Sequence, residues 1–269
     1  MRTDLSTAEP TVLNWQDEAL TAFKVSLDDR LDPEDVGGKY GRNFASGLPG
    51  VDAACLPAGQ VKRSMIFLLA SDTCVETVTV AAAVMAWGGM HMSFRNMLFT
   101  SPDTRWLEIA TRFRSGEIDR QTAYAQLRTL RVEGSLKGTG PAYFTKLIYF
   151  LTPRGRKKAA QGYIMDQWAG CSVNLLLGRE VVLMNVSRSH QISKRGHEVS
   201  STFTVSDCNS EQNYEDFCRA IDVLAEQLKL SADQIDRALI ANGGRKPSQW
   251  RKYLIQNRSI PTFNAKPNL

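Results

Sequence analysis

The sequence predicts a mostly α protein with one small β-like excursion. Helix-forming residues are plentiful, apolar residues recur at helical spacing between start and stop signals, and β-like runs are confined to residues 179–209. At 269 residues and 43% apolar content, the chain can bury a sizeable core. It divides into an N-terminal extension and loop (1–60), a helical domain (61–258) and an extended tail (259–269).

Trp15, Leu20, Phe23 and Leu27 fit one short helix, and the Gly-, Pro- and Asp-rich run from Asp28 to Gly59 reads as loop. The apolar segment Met65–Ala70 follows. Thr73 and Glu76 have the spacing of a capping box, opening a helix through Val78, Ala81, Ala82 and Met85 that stops at Gly88-Gly89. Its small central residues permit close helix packing. Two further helices are expected over 103–114 and 119–131, the second carrying Tyr124, Leu127 and Leu130. Val181–Met184 and Thr202–Val205 are short β-like runs separated by the polar stretch Ser187–Ser201, and 179–209 reads as a small hairpin or an ordered excursion. Tyr214, Phe217, Ile221, Leu224, Ala225 and Leu228 then restore helical spacing. Ser231 and Gln234 form a second capping box, before a helix expected to end near Asn242-Gly243-Gly244. Pro247 starts a last short helix through Trp250, Tyr253 and Leu254.

Charge is segregated along the chain. Residues 134–165 and 237–269 contain no Asp or Glu but hold 13 of the 33 basic residues, leaving 20 against all 28 acids elsewhere. Such segregation suggests a polyanionic partner. Five cysteines, odd in number and without a CxxC pair, fit reduced thiols in a cytoplasmic protein and exclude a thiolate metal site or iron–sulfur cluster. His91, His190 and His197 lie in no metal-binding motif, so neither metal nor cofactor is expected. The acidic, polar N-terminus is no signal peptide, and the uncharged run 77–94 carries too many polar residues for a membrane span.

One stretch concentrates the chemistry. Leu136-Lys137-Gly138-Thr139-Gly140-Pro141 runs into an apolar-periodic helix, so residues 136–151 read as a helix–hairpin–helix. Glycines at 138 and 140 permit turn conformations closed to side chains, and the amides of the turn and first helical turn can hold a DNA phosphate. Lys137 and Thr139 join Gly138 and Gly140 as candidate phosphate contacts. Phe144, Leu147, Ile148 and Leu151 form a buried stripe, and at about 100° per residue Lys146 lies opposite it, beside Ala142 and Tyr149. Lys146 is therefore expected to be exposed, or to face what the hairpin binds. Asp166 precedes the apolar run of Trp168, Ala169, Val173 and Leu176, where it can cap a helix. Capping and catalysis are compatible, because the helix dipole helps keep the carboxylate ionised.

Leu136–Gly140, Phe144-Thr145-Lys146 and Ile164-Met165-Asp166 together resemble the helix–hairpin–helix DNA glycosylases, in the bacterial 8-oxoguanine DNA glycosylase branch. Ala86–Met90 and the Tyr214–Leu228 helix add to the resemblance, which spans about residues 60–255. It implies double-stranded DNA as partner, a flipped target base and excision of an oxidised or modified purine. It further implies that Asp166 stabilises developing positive charge on the sugar. In bifunctional members a lysine, here Lys146, forms a Schiff base and permits strand cleavage. Lys137 and a desolvated pocket would favour the neutral amine. The sequence departs from the eukaryote-type pattern, in which the lysine follows the hairpin directly at the place of Ala142. Lys146 is one turn later, as in the archaeal branch. Candidates for the base pocket are Trp87, Tyr143, Trp168, Phe217 and Arg95. The alternative is a catalytically inactive DNA-binding subunit of a phage-defence-type assembly, with 179–209 or the basic C-terminal segment meeting a protein partner.

Overall fold

Two helices that the sequence makes apolar on nearly every side form the centre of the molecule. In the computed structural model, which describes residues 13–27, 36–154, 160–193, 196–240 and 248–258, these are α4 (Thr77–Trp87) and α8 (Pro141–Leu151). Every residue from Thr79 to Ala86 and from Phe144 to Leu151 is buried. A helix without a polar face has to be surrounded. Around α4 lie α2 (Gly41–Ala45), α3 (Arg63–Ser71), α6 (Arg105–Ser115) and a short antiparallel pair, β1 (Val36–Tyr40) with β2 (Gln60–Lys62). The backbone of β1 comes so close that a Cβ on Gly37 would stand 2.3 Å from Trp87 Cα.

A second group of helices gathers on α9 (Gln167–Leu177): α1 (Asp17–Ser26), α10 (Glu211–Leu228), α11 (Ala232–Leu239) and α12 (Gln249–Asn257). Trp250 locks α12 into it, standing edge-on to Phe23 with centroids 5.0 Å apart while Nε1 donates to Ser172 Oγ at 2.8 Å. An aromatic column joins the two groups through α7 (Arg120–Val132). Tyr124 meets Phe144 of α8 edge-on at 5.1 Å and stacks on Tyr214 of α10 at 4.6 Å. Such contacts contribute about 0.5–1.5 kcal/mol each beyond area burial.

The mostly helical architecture agrees with the sequence, with corrections of detail. The described part of the stretch from Asp28 to Gly59, residues 36–59, contains β1, α2 and a 3-10 turn at Ala53–Cys55; a Gly-rich composition concealed elements specified by packing on α4. Thr73 and Glu76 form no capping box: α4 starts at Thr77, and Glu76 is its N-cap without a side-chain bond. Ser231 and Gln234 do form one. The expected small hairpin within 179–209 forms, with strands longer than the two β-like runs and with Val181–Leu183 lying before the first of them. The described residues of the polar stretch Ser187–Ser201 lie in β3 (Met184–Ser193) and β4 (Gly196–Val205), which pair antiparallel from Met184↔Val205 to Ser193↔Gly196. Cross-strand backbone bonds need no apolar residue, so periodicity missed them. The expected helix end at Asn242–Gly244 and the start at Pro247 lie outside the described residues; α11 runs to Leu239 and α12 begins at Gln249 behind its cap Ser248. No described helix is long and apolar enough to cross a membrane.

Candidate active site

The hairpin occupies the turn between α7 and α8. Gly134 and Gly138 have φ of 85° and 74°, a region that disfavours side chains. Gly138 is constrained twice, because a Cβ there would stand 2.2 Å from the Phe94 ring of α5 (Met92–Phe99). Leu136 is buried beneath the turn. Thr139 departs from expectation: it is buried and its N–H donates to the Leu136 carbonyl at 3.1 Å, so it closes the turn instead of facing a phosphate. Pro141 has no N–H to offer, while the amides of Gly138, Gly140 and Ala142 make no hydrogen bond among the described residues. Lys137 is exposed beside them. The turn is acid-free only along the chain. A Cβ on Gly140 would lie 3.3 Å from Asp207 Oδ1, and Arg131 pairs with that carboxylate at 2.9 Å.

Lys146 is the main correction. It is buried at 8% exposure, although helical spacing puts it opposite the apolar stripe. The reason is tertiary: α4 covers that face. A Cβ on Gly88 would stand 2.9 Å from Lys146 Cδ, so the glycine leaves the space in which the lysine stem lies. Nζ donates to the Ala142 carbonyl at 2.5 Å and lies 5.3 Å from the centre of the Tyr143 ring. Burial holds the ammonium pKa below its ordinary value; Asp166 and then Asp236 oppose this, and Arg63 adds to it. The like-charged neighbour is thus Arg63, while Lys137 points to solvent.

Asp166 caps α9, its Oδ1 accepting from the amides of Trp168 and Ala169 at 2.8 and 3.0 Å. Thr145 Oγ1 accepts the Met165 N–H at 3.1 Å, which ties the residue before Lys146 to the residue before Asp166. The two candidates are therefore brought together, with the Asp166 charge acting on Lys146. Arg251 lies 3.6 Å from the centre of the Trp168 ring, and the Asp166 charge acts on it.

The aromatic candidates separate. Tyr143 is half-buried beside Lys146, with burial raising its phenol pKa. Trp87 is half-buried next to Gly88, with the Arg63 guanidinium 4.9 Å from its ring. Trp168 is covered by Arg251, so that face is not open for stacking. Phe217 is wholly buried against Tyr214 and belongs to the core. Arg95 is also buried, donating to Asn96 Oδ1 at 2.8 Å and to the Ser46 carbonyl, which removes it from the pocket candidates.

Four residues near the site had no role read from the sequence: Arg63, Asp236, Arg251, and Thr145, which entered only as part of the Phe144-Thr145-Lys146 motif. Arg63 and Asp236 pair at 3.2 Å across 173 positions, a separation over which spacing carries no signal. Arg251 was visible only as one charge in the basic C-terminal segment.

The family model described as "Putative 8-oxoguanine DNA glycosylase OGG-like protein" matches residues 42–240. No curated protein and no solved structure matches the chain. The matched span contains the hairpin, Lys146 and Asp166, and leaves α12 with Arg251 outside.

Proposed function

Because the chain belongs to the OGG-like 8-oxoguanine DNA glycosylase family, we propose that it excises an oxidised or modified, 8-oxoguanine-like purine from duplex DNA through Lys146 and Asp166. The observation that carries this reading is a buried lysine whose ammonium is disfavoured by desolvation, in the field of a helix-capping aspartate.

In this reading the amides of Gly138, Gly140 and Ala142 hold a phosphate of the lesion strand, with Lys137 adding charge. The target nucleotide leaves the stack. Lys146 gives up its bond to Ala142, and its neutral amine attacks the anomeric carbon. The C–N bond to the base breaks, and the base leaves with the bonding pair and takes a proton lost from the amine. The C1′–O4′ bond then opens, O4′ takes up a proton, and the nitrogen lone pair forms the C=N bond of the Schiff base. Asp166 stabilises the positive charge on the sugar as that bond breaks. β-Elimination from the Schiff base then cuts the strand.

Borohydride trapping on duplexes carrying 8-oxoguanine and other modified purines tests this. A covalent adduct formed by the wild type and absent in Lys146→Ala is expected. Base release without an adduct would reduce the reading to a monofunctional enzyme working through Asp166 and water. No base release across the panel would overturn it.

A further inference from the structure

The segment leading into Asp166 is held in an unusual way. Residues 162–165 belong to no helix or strand, and their four consecutive amides are each taken by a side chain. Gly162 donates to Thr152 Oγ1 at 3.2 Å, Tyr163 to Tyr214 Oη at 3.1 Å, Ile164 to Asp236 Oδ1 at 3.0 Å and Met165 to Thr145 Oγ1 at 3.1 Å. The acceptors come from the end of α8, from α10, from α11 and from the turn of α8 that bears Lys146. The next residue is Asp166.

Asp236 is wholly buried, and its other oxygen pairs with Arg63 at 3.2 Å. Arg63 also donates to Tyr149 Oη at 2.6 Å and covers Trp87, the neighbour of the Gly88 that makes room for Lys146. A buried ion pair is a weak source of stability, since desolvation offsets most of the attraction. Its geometric effect is larger. It joins the backbone that aims Asp166 to the element that backs Lys146.

We propose that Thr145 and Asp236 are positioning residues for the excision step, fixing the Ile164 and Met165 backbone so that Asp166 is held toward Lys146. The inference rests on the glycosylase reading and names the part of the chain on which its geometry depends. Both side chains are wholly buried. Each acts through a backbone amide.

The test uses single-turnover excision, duplex affinity and thermal melting on the full chain. Thr145→Val keeps the side-chain shape and removes the acceptor. Its excision rate should fall on the order of 10²-fold, the cost of about 1 Å of misplacement, with duplex affinity unchanged. Thr145→Ser restores the hydroxyl and should restore the rate. If Thr145→Val melts below the assay temperature, Asp236→Asn against Asp236→Ala makes the same comparison at the adjacent amide, since Asn retains the acceptor and should retain more activity. An unchanged rate in Thr145→Val, a Ser variant as slow as the Val variant, or affinity falling in step with rate would each overturn the positioning role while leaving the glycosylase reading intact. A wild type that excises no base from any duplex overturns both.

Discussion

Asp166 and Lys146 lie within one bonded neighbourhood, yet they owe their positions to different physics. Asp166 is placed locally. Its carboxylate satisfies the first amides of α9, an arrangement a short-range sequence signal can specify. Lys146 is placed by its neighbours: helical spacing sends it away from the apolar stripe, and α4 then covers that side. The comparison teaches that a capping group is stabilised by the fold, whereas a desolvated lysine is tolerated by it. Activity and stability should therefore respond differently at the two positions.

The largest effect is expected where the two roles of Asp166 are separated. Asn is as good an N-cap as Asp, so Asp166→Asn should fold with stability within a few tenths of a kcal/mol of the wild type. Excision should nevertheless fall about 10²–10⁴-fold, measured under single-turnover conditions. The pH profile supplies a sign. The Asp166 charge favours the ammonium of Lys146, so removing it lowers that pKa further below 10.5. The pH at which residual adduct formation begins should move down in the variant. An upward move would break the assignment of Asp166 as the charge that Lys146 senses.

The hairpin gives the next largest effect. Gly138→Ala forces a side chain into positive φ and against Phe94, and should cost on the order of 1–3 kcal/mol of stability together with weaker duplex binding. Normal melting and binding would mean that the turn does not require its glycine. Gly88→Ala sharpens the comparison more narrowly. Gly88 has φ of −67°, which alanine adopts freely, and the new Cβ meets the flexible stem of Lys146 at 2.9 Å and the Val84 carbonyl oxygen at 3.3 Å. Melting should barely change, while excision drops about tenfold from a displaced amine. Loss of stability without loss of rate would place the productive amine elsewhere.

The same contrast explains what the sequence revealed. The long helices α7, α8, α9 and α10 were legible because each carries apolar residues at helical spacing over three or more turns, with Pro141 and Asp166 marking the starts of α8 and α9. The hairpin was legible because its glycines and proline have conformational reasons to be there. Thr139 and Arg95 were misread as contacts because burial is a property of the assembled fold, not of residue type. The roles of Asp236 and Thr145 were invisible for the converse reason. A carboxylate in α11 looks like any surface charge until Ile164 and Arg63 arrive beside it from elsewhere in the chain.

The smallest effect carries the comparison to its sign. Asp166→Ala removes the α9 cap and should lower stability by about 1 kcal/mol. Lys146→Met should do the opposite. In the folded protein burial lowers the lysine pKa, so below 10.5 the unfolded chain binds the proton more readily and the wild-type residue costs stability. Methionine fills a similar volume without charge, and the gain should be about 1 kcal/mol near neutral pH, seen as a rise of a few degrees in melting temperature. That gain should be full below the folded pKa of Lys146, shrink as pH rises toward 10.5, and vanish above it, because the neutral amine no longer carries the desolvation cost. A methionine variant that melts lower at pH 7 would mean that the lysine contributes to the fold through its bond to Ala142. The two positions would then belong to one physical class, and Lys146 would lose the signature that distinguishes a functional amine from a structural one.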